Sequence, residues 1–112
     1  MATNTFKRYT KNGIGTSAES IYTVPTTTPV TSTVIIGGII SNTDGSSTVN
    51  TTVTVHDGTN EISLTGTDTP IPSGSALSFI DGKVVLQQGD VVKASGSIAG
   101  KLDVILSIME IS

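Results

Sequence analysis

The sequence has no cysteine and no tryptophan, and only two phenylalanines (Phe6, Phe79) and two tyrosines (Tyr9, Tyr22). Without cysteine there are no disulfides, no thiolate chemistry and no cysteine-bound metal. A small secreted domain stapled by disulfides is therefore disfavoured. So few rings leave little for a sugar to stack on, which weighs against a carbohydrate-binding module. Charged residues are 13% of the chain, about half the usual share. Low charge together with many β-branched residues is the opposite of a disordered composition. Long apolar runs are also lacking. The longest, Val34 to Ile40, contains two glycines and is far too short to span a bilayer. Residues 1–10 contain no apolar stretch of the signal-peptide kind. The expectation is a protein without membrane partners, assembled in the cytoplasm of its producer.

Positive charge is scarce and uneven. Lys7, Arg8 and Lys11 are half of the six basic residues, and the rest of the chain sets three basic residues against nine acidic ones. An acidic body excludes general nucleic-acid binding, which needs a basic face to displace phosphate counterions. The basic N-terminal segment either docks on an acidic partner surface or is a solvated terminus.

What is abundant is Thr, Ser, Val and Ile, with the period of strands. A chain of 112 residues fits one domain. From Thr48 to His56, Val49, Thr51, Val53 and Val55 share one face, and polar side chains share the other. This is the pattern of a half-buried strand. From Leu102 to Ile111, Leu102, Val104, Leu106 and Ile108 share one face, while Asp103, Ile105, Ser107, Met109 and Ile111 share the other. A strand apolar on much of both faces is either central in its sheet or in contact with another subunit. Asp57-Gly58 and Asp81-Gly82 read as tight hairpin turns, and Gln88-Gly89-Asp90 and Asn42 to Gly45 as further chain reversals. Gly37-Gly38 inside an apolar strand marks a bulge or bend. Turn signals every 8–12 residues indicate a sandwich or small barrel. The fold expected is all-β, a single antiparallel β-sandwich of about eight strands, jelly-roll-like or Ig-like. Residues 1–18 are expected to form an extended arm, in which Phe6 and Tyr9 either anchor on a neighbour or belong to an edge strand, and residues 19–112 the sandwich.

No catalytic, cofactor-binding or metal-binding residue emerges. The single histidine, His56, sits on the outer face of a strand without a G-x-S-x-G elbow anywhere in the chain. Gly13-Ile14-Gly15 lacks the third glycine and the following helix of a phosphate loop. Asp57, Asp81 and Asp90 lie one to a turn, which turn formation explains without a cation. Asn50-Thr51-Thr52 matches the glycosylation pattern within a Thr-rich strand, where chance suffices.

Several segments in order resemble a family of small virion proteins. They are Ile21-Tyr22-Thr23-Val24-Pro25, Val34-Ile35-Ile36-Gly37, Ser41-Asn42, Pro70-Ile71-Pro72-Ser73-Gly74-Ser75-Ala76-Leu77, Val84-Val85-Leu86, Gly89-Asp90-Val91-Val92-Lys93 and Leu102 to Ile111. The chain is similar over roughly residues 20–111 to β-sandwich structural proteins of tailed bacteriophages, particularly those of marine cyanobacteria. The resemblance implies a virion component that is not an enzyme and needs no cofactor. The expected role is a capsid decoration (cement) protein, a homotrimer bound to the major capsid protein of the outer shell. The alternatives are a tail, neck or fibre component touching the host surface and, remotely, a small hydrolase or sugar-binding domain. No nucleic acid, membrane or small-molecule substrate is expected. Candidate partner-binding residues are Phe6, Lys7, Arg8, Tyr9 and Lys11 of the arm, and Ile105, Met109 and Ile111 are candidate subunit contacts. Removing residues 1–11 is expected to leave the body folded.

Overall fold

Alternating β-branched residues need a second apolar face to cover them, and here two antiparallel sheets supply one another. The computed structural model describes residues 4–27, 30, 32–80 and 82–112. Among them run ten strands: β1 (Asn4–Lys11), β2 (Glu19–Thr23), β3 (Ser32–Asn42), β4 (Val49–His56), β5 (Glu61–Ser63), β6 (Thr69–Ile71), β7 (Ala76–Ser78), β8 (Val84–Gln87), β9 (Val91–Gly96) and β10 (Leu102–Ile111). The front sheet has the order β1-β10-β3, with β7 and β8 both on the far side of β3. The back sheet has the order β2-β9-β4, with β5 and β6 both on β4. The chain is thus an all-β sandwich. Ten strands are two more than the expected eight, and three of them, β5, β6 and β7, have only three residues each.

Front-sheet Ile35, Ile40, Leu102, Leu106 and Ile108 meet back-sheet Val49, Val53 and Val92 in the core, all fully buried. Each such side chain stabilises the fold by about 1.5–3 kcal/mol relative to exposure. β4 follows its predicted alternation, with Val49, Thr51, Val53 and Val55 buried and Asn50, Thr52, Thr54 and His56 half-exposed. β10 begins and ends where the pattern indicates and is central, paired with β1 on one side and β3 on the other.

One expectation is corrected. The Asp81-Gly82 turn does not join a hairpin, because β7 and β8 do not pair with each other. They follow one another along β3, β7 opposite Ile39–Ser41 and β8 opposite Ser32–Ile35. Between them Phe79 crosses over Gly38, and its N–H donates to the Gly38 carbonyl (3.1 Å). Gly82 takes a positive φ of 84°, while Asp81 lies outside the described residues. For the N-terminal segment the structure takes the edge-strand alternative. From Asn4 to Lys11 the chain is an edge strand, in register with β10 over its whole length. The loop that follows is pinned by Ile14, which is fully buried and donates its N–H to the Leu102 carbonyl (2.9 Å). Residues 1–3 lie outside the described set.

The glycine pair in β3 does mark a bulge. Ser107 opposes Gly37 and Ile108 opposes Ile35, so Ile36 is the extra residue. One extra residue inverts the facing of everything beyond it. Thr33 and Ile35 point inward before the bulge, and Gly38, Ile40 and Asn42 point inward after it.

Candidate interaction surface

Residues directly opposite one another in an antiparallel ladder point to the same face, so the register defines the outward side of the front sheet. Phe6 opposes Met109, Met109 opposes Val34, and Val34 opposes Val85. This is one apolar row across four strands. A second row sets Ile105 against Ile39. The rows are open to solvent, with Phe6 71%, Val85 68%, Ile39 44% and Ile105 41% exposed. The bulged Ile36 is exposed as well. At one end the surface dips into an open recess of about 580 Å³ lined by Thr10, Lys11, Asn12, Ile39, Ser41, Asp103, Val104 and Ile105. The outward face of the back sheet is different in kind, since β4 presents Asn50, Thr52, Thr54 and His56 there. A contiguous apolar patch on a folded chain signals contact with something else.

β1 is fastened to the body by a buried polar network. Glu110, 4% exposed on the inner face of β10, accepts hydrogen bonds from the Tyr22 hydroxyl (2.7 Å, Oε2) and pairs with Lys7 Nζ (2.8 Å, Oε1). The same hydroxyl lies 2.9 Å from Thr33 Oγ1, itself fully buried. Burial alone would push the Glu110 carboxyl up. The Lys7 ammonium and the Tyr22 hydroxyl outweigh it and hold the group below the ordinary carboxylate range. Lys7 is correspondingly raised by its hydrogen bond to Glu110, and burial raises the Tyr22 hydroxyl. An unpaired charge at position 110 would be costly, so Lys7 and Tyr22 are what permit a carboxylate there. Tyr9 adds a ring contact to Tyr22, centroid to centroid 4.6 Å.

The candidate residues therefore divide. Phe6 and Arg8 of β1 face outward, on the side of Ile105, Met109 and Ile111. Lys7, Tyr9 and Lys11 face the other way, and two of the three basic residues serve contacts within the chain, Lys11 pairing with Glu19 (3.3 Å). Glu19 also accepts a short hydrogen bond from the Gly15 N–H, the main cause holding its carboxyl below the ordinary range. Sequence reasoning missed Val34, Ile36, Ile39 and Val85. Adjacent apolar pairs, Ile35-Ile36, Ile39-Ile40 and Val84-Val85, carry the signal, because neighbours in a strand cannot share a face.

The residues weighed for chemistry have local duties. Asp57 Oδ1 accepts from the N–H groups of Thr59 and Asn60, and Asp90 Oδ2 accepts from that of Gln87. His56 Nδ1 lies 2.9 Å from Glu61 Oε1, without an aligned hydrogen bond, and Lys93 Nζ stands 3.4 Å from the same oxygen.

No protein-family model matches the chain. No curated protein matches it in sequence. Solved structures do match in fold. A chain of the acid-stable capsid of Helicobacter pylori bacteriophage KHP30 is 10% identical with a TM-score of 0.60, the match covering 100% of this chain and 94% of that one. A chain of Bacillus endospore appendages, a family of disulfide-linked pili, is 17% identical with a TM-score of 0.56, covering 98% of this chain and 89% of that one. At these identities the likeness is one of fold.

Proposed function

We propose that this chain is a non-enzymatic structural component of a bacteriophage virion, a capsid decoration protein that binds the outer shell as an oligomer and stabilises it. The observation that carries the reading is the apolar outward face of the front sheet, continuous over four strands and unnecessary for the chain's own core. Its support from outside is that the same sandwich occurs in a phage capsid. The mechanism is adhesion. Apolar burial contributes on the order of 25 cal/mol per Å², and repetition over a shell turns modest contacts into a stable coat by avidity. The major capsid protein is the proposed partner on the shell.

Quantitative mass spectrometry of purified particles of the producing phage tests this. Copies comparable in number to the major capsid protein are the expected result. A dozen or fewer per particle would move the chain to the tail or neck, and absence from particles would end the virion reading.

A further inference from the structure

We infer that the outward face of the front sheet packs against the same face of a second copy of this chain, forming a two-fold dimer. The inference rests on the structural, non-enzymatic reading above and assigns that surface to the contact between copies within the oligomer, leaving the shell contact to other surfaces. Three observations select a second copy. The first is polarity. Within the paired strands, the outward positions of the front sheet carry only two charges, Arg8 and Asp103, of opposite sign. A two-fold contact sets a surface against itself, so an excess of one sign would oppose like charges. This face has none, although the whole chain carries −3.

The second is area. β1, β10, β3 and the row shared by β7 and β8, about 4.8 Å apart and averaging some nine residues at about 3.3 Å each, give a planar footprint on the order of 500 Å². With side-chain relief this approaches the roughly 800 Å² per partner of a standard interface. The third is shape and residue type. The exposed Val, Ile and Phe side chains on this face resemble those of the inner face, which already packs sheet on sheet in the core. A β surface of this composition stacks on its own copy at the usual spacing of about 10 Å, as the two sheets of the sandwich do.

The test is sedimentation velocity of the full chain over a roughly hundredfold concentration range, which spans the midpoint of a micromolar association. Wild type is expected to sediment as a dimer that dissociates on dilution. Val85→Glu and Phe6→Glu change exposed positions, so they should melt as wild type does while the dissociation constant rises at least about tenfold. Ile62→Glu, on β5 of the back sheet and also exposed (51%), should leave the dimer intact. A wild type that stays monomeric throughout, or a dimer indifferent to Val85→Glu and Phe6→Glu but lost in Ile62→Glu, overturns the inference. A monomer abundant on particles would sink the dimer and leave the virion reading standing. A dimer absent from particles would do the reverse.

Discussion

A single methyl group on Gly38 tests how the front sheet is built. An ideal Cβ there would lie 2.5 Å from Phe79 Cζ and 2.7 Å from Cε2, where carbon atoms prefer about 3.5–4.0 Å. The ring, 7% exposed, would have to retreat by about 1 Å out of its core contacts. Gly38 does not occupy the left-handed region, so alanine adds no backbone strain and by propensity gains about 0.5–1 kcal/mol. Overpacking outweighs that gain, and Gly38→Ala is expected to destabilise the domain by about 1–3 kcal/mol. Gly37→Ala is the control. Its Cβ meets nothing within 4 Å, and it should stay within about 0.5 kcal/mol of wild type. Phe79→Leu removes the colliding atoms at a cost of about 1–2 kcal/mol. In that background Gly38→Ala should become neutral or stabilising, a coupling of about 1–3 kcal/mol. Urea melts with unchanged slope would measure all four proteins. If Gly38→Ala costs no more than Gly37→Ala, or the same in both backgrounds, the glycine does not exist to seat the ring.

Other outcomes follow from burial and charge. Val53→Asp puts an unpartnered carboxylate at a fully buried position and should leave the domain unfolded or aggregated; a cooperative melt near the wild-type temperature would contradict the facing of β4. Tyr22→Phe leaves Glu110 Oε2 and Thr33 Oγ1 without their shared partner and should cost about 1–3 kcal/mol, with hydrogen exchange accelerated first in β1. The Glu110 carboxyl is lowered in the folded chain, so its contribution to stability is full above the ordinary carboxylate range and is lost as pH falls through its lowered value. Glu110→Gln should therefore flatten the fall in stability as pH drops through and below the ordinary carboxylate range, and an unchanged slope would remove the network from the account. Deleting residues 1–11 strips β10 of its outer partner and Glu110 of Lys7, so a loss of at least about 3 kcal/mol is expected in place of the intact body that the sequence suggested.

How legible the molecule was depends on which physics each residue obeys. β4 and β10 could be read residue by residue, because a half-buried strand writes burial directly into a period of two. β3 could not, since the extra residue Ile36 breaks that period midway, and only the glycine pair betrays the bulge. The Asp81-Gly82 signal reads as a hairpin because local turn preference does not say which neighbour a strand selects; β7 and β8 both pair with β3. Lys7 and Lys11 read as docking or solvated charges because their partners within the chain, Glu110 and Glu19, lie far along the chain or across a loop. No one-dimensional pattern reports such a pairing.

The last strand shows why the surface was only half visible. Its two apolar faces suggested either a central strand or a subunit contact, as if these were rivals. Register makes β10 central, and that accounts for its hydrogen bonds but not for Ile105 and Met109, which point away from the core. Centrality in a sheet explains what lies to either side of a strand; it is silent about what lies above it. The back sheet makes the comparison within one molecule, for β4 is also central and presents Asn50, Thr52 and Thr54 outward. Folding therefore does not require an apolar outer face on a central strand of this sandwich. The front sheet has one nonetheless, extended by Phe6, Val34, Ile39 and Val85 from three neighbouring strands. A property absent from the matched face and assembled from four separate segments is what the proposed contact between molecules accounts for and the fold of one does not.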